Sequence, residues 1–348
     1  MNRKQQLVSV IVPVFNGGNF LHQCLDALFS SDYTDFEVIV VDDGSTDDSA
    51  KISREKGATV IATARRQSGP AAARNLAAKQ AKGEILLFID ADVVVKADTI
   101  SKAVKRFADN PEYSALFGSY DDSPFEKNFL SQYKNLQHHF VHQTSNPEAS
   151  TFWTGLGAIR RDTFLEMSGF DCEQFPVPSI EDIELGVRLR NAGHRILLDR
   201  RIQAKHLKKW EIVSLIKTEV FCRAMPWSKL ILTNQGLIND MNLKTTDRVC
   251  AAFVGLSILL VPFIFWQPVL LILLFAFLLA ILFLNRKIFG FFSKKKGLLF
   301  AALTYPWQFF YFFYSAATFV FCWFRYALPL ALGFGKEKNI SEIRQING

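Results

Sequence analysis

Asp90-Ala91-Asp92 closes the apolar run Ile85-Leu86-Leu87-Phe88-Ile89. Five consecutive apolar residues after Gly83-Glu84 predict a buried strand. Two carboxylates one residue apart, where such a strand meets solvent, are costly to desolvate unless a cation sits between them. A Mg²⁺ or Mn²⁺ ion carrying phosphate oxygens is the natural candidate, because hard oxygen ligands suit those ions. The simpler alternative is an Asp cap for the helix that follows. A second acidic pair, Glu181-Asp182, opens a helical pattern that runs to about Ala192. A carboxylate there could take a proton from an attacking hydroxyl. The same acids could also just complement the positive end of the helix dipole. His206, in Lys205-His206-Leu207-Lys208-Lys209-Trp210, can act as a neutral metal ligand or sit as a surface side chain beside a basic patch.

The elements that must position these groups alternate regularly. Val8 to Val14 is a β-rich run ended by turn chemistry at Phe15-Asn16-Gly17-Gly18-Asn19. Phe20 to Phe29 has helical spacing at Leu21, Cys24, Leu25 and Leu28. Phe36 to Val41 is a second strand ending at Asp42-Asp43-Gly44, and Ser45-Thr46-Asp47-Asp48 has the pattern of a capping box. Thr59 to Ala62 reads as a third strand, and Gly69-Pro70 opens an Ala-rich helix to about Lys82. Strand–helix alternation of this kind predicts a parallel sheet with crossover helices. Ligands of such sheets lie beyond the carboxyl ends of the strands, where Asn16, Asp43 and Asp92 all fall. No Gly-x-Gly-x-x-Gly or Gly-x-x-x-x-Gly-Lys-Ser/Thr occurs, which argues against dinucleotide and P-loop chemistry.

These segments resemble the family-2 glycosyltransferases with a GT-A fold. The resemblance rests on Val10-Ile11-Val12-Pro13-Val14-Phe15-Asn16, Val40-Val41-Asp42-Asp43-Gly44-Ser45-Thr46-Asp47, Gly69-Pro70-Ala71-Ala72-Ala73-Arg74-Asn75 and Asp90-Ala91-Asp92. Downstream, Gly155-Leu156-Gly157-Ala158-Ile159-Arg160-Arg161, Gly169-Phe170-Asp171 and Ile180-Glu181-Asp182-Ile183-Glu184-Leu185 look like that family's acceptor-side motifs. The resemblance covers about residues 7–230. It implies a GT-A-type, Rossmann-like, mostly parallel α/β sheet with flanking helices. It implies that Pro13, Asn16, Asp43, Arg74 and Asp90 face the nucleotide donor and that Asp92, with His206, binds the divalent metal. It implies Asp182 as the base of an inverting transfer, with Glu181, Glu184, Trp153 and Gly155 on the acceptor side. Arg223-Ala224-Met225-Pro226-Trp227 falls where processive synthases of the family carry Gln-x-x-Arg-Trp. Trp227 is kept, but Arg223 and Pro226 depart from the pattern, which counts against processive polymerisation.

Composition divides the chain. Residues 249–284 and 298–324 are two apolar blocks, each long enough for spans of roughly 20 residues. Spans are expected at about 249–266, 268–285 and 300–324, within a membrane domain of 247–334 and before a polar tail of 335–348. Residues 1–235 form the expected catalytic domain, with interfacial helices at about 125–143 and 210–234. The first carries a stripe of Phe125, Phe129, Tyr133, Leu136 and Phe140 opposite Lys127, Lys134, Gln137 and His138. Arg286, Lys287, Lys294, Lys295 and Lys296 make the intervening loop cytoplasmic by the positive-inside rule. With no signal peptide in the first residues, the catalytic domain is expected in the cytoplasm, at the inner or plasma membrane of a bacterium. The net charge of +7 then reads as attraction to a membrane surface rather than to nucleic acid. Five scattered cysteines offer neither a disulfide framework nor a zinc site.

The expected reaction is metal-dependent sugar transfer, with Mg²⁺ or Mn²⁺, from a nucleotide-sugar, UDP-sugar favoured, to a hydroxyl or phosphate of a membrane-associated, lipid or lipid-linked acceptor. The alternatives are a processive polysaccharide synthase, a nucleotidyltransferase and a non-catalytic membrane scaffold. Nucleotidyl transfer wants a basic Gly-rich loop after the first strand, and Phe15-Asn16-Gly17-Gly18 has no basic residue.

Overall fold

The computed structural model describes residues 6–233, 241 and 244–328. The chain divides into two compact units, Met1–Glu211 and Ile212–Gly348.

The first unit is a three-layer α/β domain. Its strands and helices follow the order β1 (Val8–Val14), α1 (Gly18–Phe29), β2 (Phe36–Asp42), α2 (Ser49–Glu55), β3 (Thr59–Ala62), α3 (Pro70–Gln80), β4 (Ile85–Ile89) and β5 (Val93–Val95). Then come α4 (Thr99–Asp109), β6 (Tyr113–Tyr120), α5 (Phe129–Thr144), β7 (Glu148–Ala149), β8 (Leu156–Arg160), α6 (Arg161–Glu166), α7 (Glu181–Asn191) and β9 (Arg195–His206). The sheet order is β3-β2-β1-β4-β8-β6-β9-β5, with β7 paired to β9. The half β3-β2-β1-β4 is parallel throughout. β8 runs antiparallel to both β4 and β6, and β6 and β9 return to a parallel pairing.

Burial explains why the apolar runs become strands. Every residue of β4 is buried, as a strand covered on both faces must be. Leu21, Cys24, Leu25 and Leu28 form the buried stripe of α1, at helical spacing. Each such Leu contributes about 1.5–3 kcal/mol by leaving water.

Ser45–Asp48 does not form the expected capping box. Helix α2 starts at Ser49 and has no side-chain cap. Asp47 instead takes the Ser49 amide (3.0 Å) and hydroxyl (2.5 Å) on one oxygen and the Gly18 amide (3.0 Å) on the other. It thus fastens the starts of α1 and α2 together. Burial would raise its carboxyl, but these donors outweigh that and hold it below the usual range.

The stripe expected at 125–143 lies on α5 from Phe129 onward, and Phe125 precedes the helix. Tyr133 and Leu136 are core residues, while Phe125 is 42 % exposed. Gln137, expected on the polar face, is buried.

The second unit is helical: α8 (Ile212–Lys217), a π-helical turn (Thr218–Ala224), α9 (Met225–Thr233), α10 (Thr245–Leu260) running into a 3₁₀ turn (Val261–Phe265), α11 (Leu270–Leu284), α12 (Arg286–Lys296) and α13 (Leu298–Cys322). Two or three spans are expected from the sequence. Among the described residues, only Thr245–Phe265 is long and apolar enough to cross a membrane, or two spans if the bent pair α11–α12 counts as one. α11 has 15 residues and meets α12 at 65°. α13 is 25 residues long, but Thr304, Pro306 and Gln308 interrupt its apolar run.

The basic segment 286–296 is a helix rather than the expected loop. Ile288, Phe289 and Phe292 recur at helical spacing and are buried, with Phe292 against Phe300 and Phe289 against Tyr305. The expected tail 335–348, and residues 329–334 of the expected membrane domain, lie outside the described residues.

Candidate active site

Three carboxyl ends of parallel strands converge on one edge of the sheet. β1 ends ahead of Asn16, β2 ahead of Asp43 and β4 ahead of Asp90. Asn16 has a left-handed backbone, φ 51°. Its side-chain oxygen accepts from the Thr46 amide (2.8 Å), and its own amide donates to the Ser45 hydroxyl (3.0 Å). Asn16 therefore latches the end of β1 to the end of β2. Pro13 lies half-buried in β1, in register with Val41.

Asp43 is buried, and its two oxygens accept from three donors: the Ser68 amide (2.8 Å), the Thr63 hydroxyl (2.7 Å) and the Gly69 amide (2.8 Å). A carboxylate offers about four acceptor positions, so one remains for a ligand donor. Arg66 lies over the exposed Phe15 ring at 5.7 Å, beside this corner.

Arg74 lies at the centre of the site. It is 3 % exposed, and its two terminal nitrogens reach Asp90 Oδ1 (2.7 Å) and Glu181 Oε1 (2.9 Å). The guanidinium also lies over Phe170 at 5.8 Å. The second oxygen of Glu181 accepts from the Ser179 amide (3.0 Å). One arginine thus joins the acid after β4 to the acid at the start of α7. Sequence reasoning placed Arg74 against a donor. The structure places its charge between two carboxylates of the protein.

Asp182 points elsewhere. Its Oδ2 accepts from both the amide and the hydroxyl of Thr154 (3.1 Å each), and its Oδ1 accepts from the Ile183 amide (2.9 Å). Burial, then the neighbouring Glu181 charge, push its carboxyl up to about 6, while Thr154 and Arg74 act the other way. A half-buried carboxylate that changes charge near neutrality can accept a proton and release it again.

Thr154 reaches this place because β8 is antiparallel: Leu156 is in register with Ile89, so residues 153–155 enter beside the end of β4. Gly155 is needed for a close approach. A Cβ there would lie 2.4 Å from the Trp153 ring. Trp153 packs edge-on to Tyr120 at 4.8 Å and against His138 at 4.8 Å.

Asp92 meets His206 through the pairing of β5 with β9. Val93 is in register with His206, and the Leu207 amide donates to the Asp92 carbonyl (2.9 Å). The side chains come to 3.4 Å, His206 Nε2 to Asp92 Oδ2. Burial would raise the Asp92 carboxyl, but His206, and less strongly Lys208, outweigh it and hold it below the usual range. Tyr120 stacks flat on the His206 imidazole, centroids 4.2 Å apart and planes 6° apart.

This pair fits a divalent ion that takes most of its shell from phosphate and water, as Mg²⁺ commonly does. Among the described residues no group of three or more His, Cys, Asp or Glu could hold a metal on its own. Asp90 is turned to Arg74, which leaves Asp92 as the carboxylate facing His206.

The other predicted residues make other contacts. Glu184 is buried and held bidentately by Arg188 (2.6 and 2.9 Å), which also donates to the Gly169 carbonyl (2.7 Å). Its role in this geometry is to brace the Gly169 turn. Arg223 and Trp227 belong to the second unit, where Arg223 pairs with the buried Glu219 at 2.8 Å. Tyr120, Thr154, Thr63 and Ser68 were not legible as site residues. Each is brought in by strand pairing or by a loop contact, and no local spacing marks it.

Residues 9–167 match the family described as Glycosyl transferase family 2. The chain is 30% identical over 119 residues to glycosyltransferase GlyG of Streptococcus pneumoniae, covering 33% of this chain and 39% of that protein. It is 24% identical over 238 residues to glycosyltransferase GlyA of the same species, covering 63% of this chain and 33% of that protein. The chain therefore spans well under half the length of these relatives. Among solved structures, it resembles a mannosyltransferase from Pyrobaculum calidifontis in complex with GDP-Man and Mn²⁺, with a TM-score of 0.53, 19% identity, and 91% of this chain and 88% of that chain covered. It also resembles Staphylococcus aureus TarS in complex with UDP-GlcNAc, with a TM-score of 0.51, 20% identity, and 90% and 89% covered. These likenesses establish the GT-A-like fold.

Proposed function

We propose that this chain, whose residues 9–167 match glycosyl transferase family 2, transfers a sugar from a nucleoside-diphosphate sugar to a membrane-associated acceptor with inversion. The observation that carries the reading is Asp182: a carboxyl raised to about 6, oriented by Thr154 and kept distinct from Glu181, which pairs with Arg74. In this reading Asp182 takes the proton from the acceptor hydroxyl as it attacks the anomeric carbon. A single base opposite the leaving group gives in-line displacement and inversion. An acceptor phosphate would arrive already ionised and use Asp182 only for positioning.

Asp92 and His206 would hold a Mg²⁺ or Mn²⁺ against the donor diphosphate. Bound there, the ion supplies Lewis-acid neutralisation of the leaving group. Asp43 has one acceptor position left, which suits the imide N–H of uracil and favours a UDP-sugar. Pro13 and Asn16 would line the nucleotide at the end of β1. Arg74 and Asp90 would hold the floor beneath the diphosphate. Trp153 and Gly155 would face the acceptor.

The second unit would anchor the enzyme. α10 carries exposed Leu256, Ile258 and Leu259, and α11 carries Leu271, Ile272 and Phe275, which favour lipid over water. Asn285 at the end of α11 bonds Cys250 near the start of α10 (3.2 Å), so the two helices form a hairpin with both ends on one side. The basic residues of α12 mark that side as cytoplasmic by the positive-inside rule.

Nucleotide-sugars screened with Mn²⁺ or Mg²⁺ for thermal stabilisation, then for sugar transfer to dispersed lipid extracts, test the proposal. One nucleotide should stabilise the protein, and labelled sugar should appear in the lipid fraction. No stabilisation by any nucleotide would overturn the donor site. Label confined to a water-soluble glycan would overturn the lipid acceptor.

Tyr120→Leu removes the face-to-face support of His206. Loss of such a support around a metal ligand commonly costs 10–100-fold in metal affinity. The Mn²⁺ concentration for half-maximal activity is expected to rise about tenfold, with kcat at saturating Mn²⁺ little changed. An unchanged metal requirement would show that the Tyr120 stacking contributes nothing to metal binding.

A further inference from the structure

We propose that the α12–α13 hairpin lies in the plane of an anionic bilayer surface, and that only the α10–α11 hairpin enters the apolar interior. The inference rests on the membrane reading of the second unit and changes what that reading implies for the second apolar block.

Direction comes first. α12 leaves α11 at 65°, so it runs closer to perpendicular than parallel to that helix. α13 returns antiparallel along α12: Phe292 meets Phe300, and Phe289 meets Tyr305 farther on. Gly297, with φ +89°, makes the reversal, a conformation other residues rarely adopt. The pair therefore shares a direction steeply inclined to the α10–α11 hairpin.

The second observation is where α13 touches that hairpin. Tyr305 donates to the Leu278 carbonyl (2.7 Å), and Phe312 packs with Cys250, Val254 and Ile281. All of these lie within about two helical turns of the hairpin's foot, at Cys250 and Asn285. α13 then continues to other partners, with Tyr314 donating to Glu219 (2.8 Å) and the Cys322 thiol reaching the Met225 carbonyl (3.7 Å). A third span would instead climb beside α10 and α11. Their far halves are bare: Leu259 is 66 %, Phe265 88 %, Trp266 73 % and Ile272 71 % exposed.

Composition agrees with the geometry. α13 carries Tyr305, Trp307, Tyr311 and Tyr314, and Tyr and Trp collect where hydrocarbon meets headgroups. Its exposed Leu298, Leu299 and Phe321 would dip into the acyl boundary. Charge selects the lipid. α12 exposes Arg286, Lys287 and Lys294 to Lys296 while burying its apolar face on α13. At the other end of α13, Arg325 and Lys229 both lie over Tyr326, at 5.6 and 5.4 Å. Cations at both ends of one amphipathic hairpin complement an anionic leaflet.

Depth measurement by spin labels on the full-length protein in vesicles tests this. Leu299→Cys, Leu303→Cys, Phe313→Cys and Phe321→Cys each replace an exposed side chain, on a background with the half-buried Cys172 and Cys222 changed to Ser. All four labels are expected at one shallow depth, open to an aqueous relaxant added on a single side. A Phe313→Cys label buried mid-bilayer, with the Leu299→Cys and Phe321→Cys labels reached from opposite sides, would overturn the proposal and restore a third span. Failure of the wild-type protein to enter vesicles at all would instead overturn the membrane reading beneath it. A fluorophore at Lys294→Cys should be quenched several-fold more by brominated phosphatidylglycerol than by the same fraction of brominated phosphatidylcholine. Equal quenching would remove the anionic lipid from the proposal.

Discussion

Asp182→Asn should lower sugar transfer by about 10²–10⁴-fold while leaving donor affinity within a few-fold of wild type. The amide keeps the shape of the carboxylate and can still accept from Thr154 or Ile183, whose donors now hold Asp182. It cannot take a proton. The wild-type rate should also carry an acid limb. Asp182 must be ionised to act, and its carboxyl is raised to about 6, so activity should fall below about pH 6 and level off above it. Thr154→Val removes one donor to the ionised form, which moves that limb to higher pH.

The stability consequence has the opposite sign. A carboxyl raised in the folded protein contributes stability below its unfolded value near 4, and that contribution is lost as pH rises through about 6. At pH 7 the ionised Asp182 is therefore a burden on the fold. Asp182→Asn should melt higher than wild type at pH 7, by on the order of 1 kcal/mol, and show no such gain at pH 4. An inactive but more stable variant separates lost chemistry from lost folding. A flat pH profile, or full activity of Asp182→Asn, would remove Asp182 as the base.

Arg74→Met should be the most damaging single change to the fold of the first unit. Arg74 is the shared partner of Asp90 and Glu181, and the two carboxylates differ in their recourse. Asp90 keeps about a third of its side chain in water, whereas Glu181 is 4 % exposed. Removing one partner of a buried ion pair costs about 3–5 kcal/mol, because the other charge stays buried. For a unit of this size that is a fall of roughly 10 °C in Tm. Arg74→Met with Glu181→Gln should recover much of the loss, since the stranded charge is then gone. Thermal melts of the two variants in the same detergent decide it. A loss under about 1 kcal/mol for Arg74→Met alone would mean that water already reaches Glu181.

The parallel half of the sheet was legible because its signals are local. Apolar runs bounded by turn residues locate β1 to β4, and the acids at their ends follow. The mixed half was not. β8 sits between β4 and β6 only through non-local pairing, and Thr154 and Tyr120 come with it. Arg74 shows the limit from another side. Its motif marks it as part of the site, but only the fold shows that its charge is spent on two acids of the chain. In the second unit, hydropathy identified the apolar blocks but carried no direction. It could not show that α12 is a helix folded onto α13, because that depends on which face of each is buried.

β5 has a consequence for how the enzyme is made. Its three residues follow Asp92 directly, yet they pair with the last residues of β9, more than a hundred positions later. Long-range pairings of this kind are slow to form and come late on a growing chain. A nascent polypeptide can lay down β1 to β4 with their crossover helices early. Asp92 cannot meet His206 until β9 has been synthesised and has closed over it. The Asp92–His206 pair is in this way withheld from incomplete chains, because β9 is the last strand of the first unit to be made.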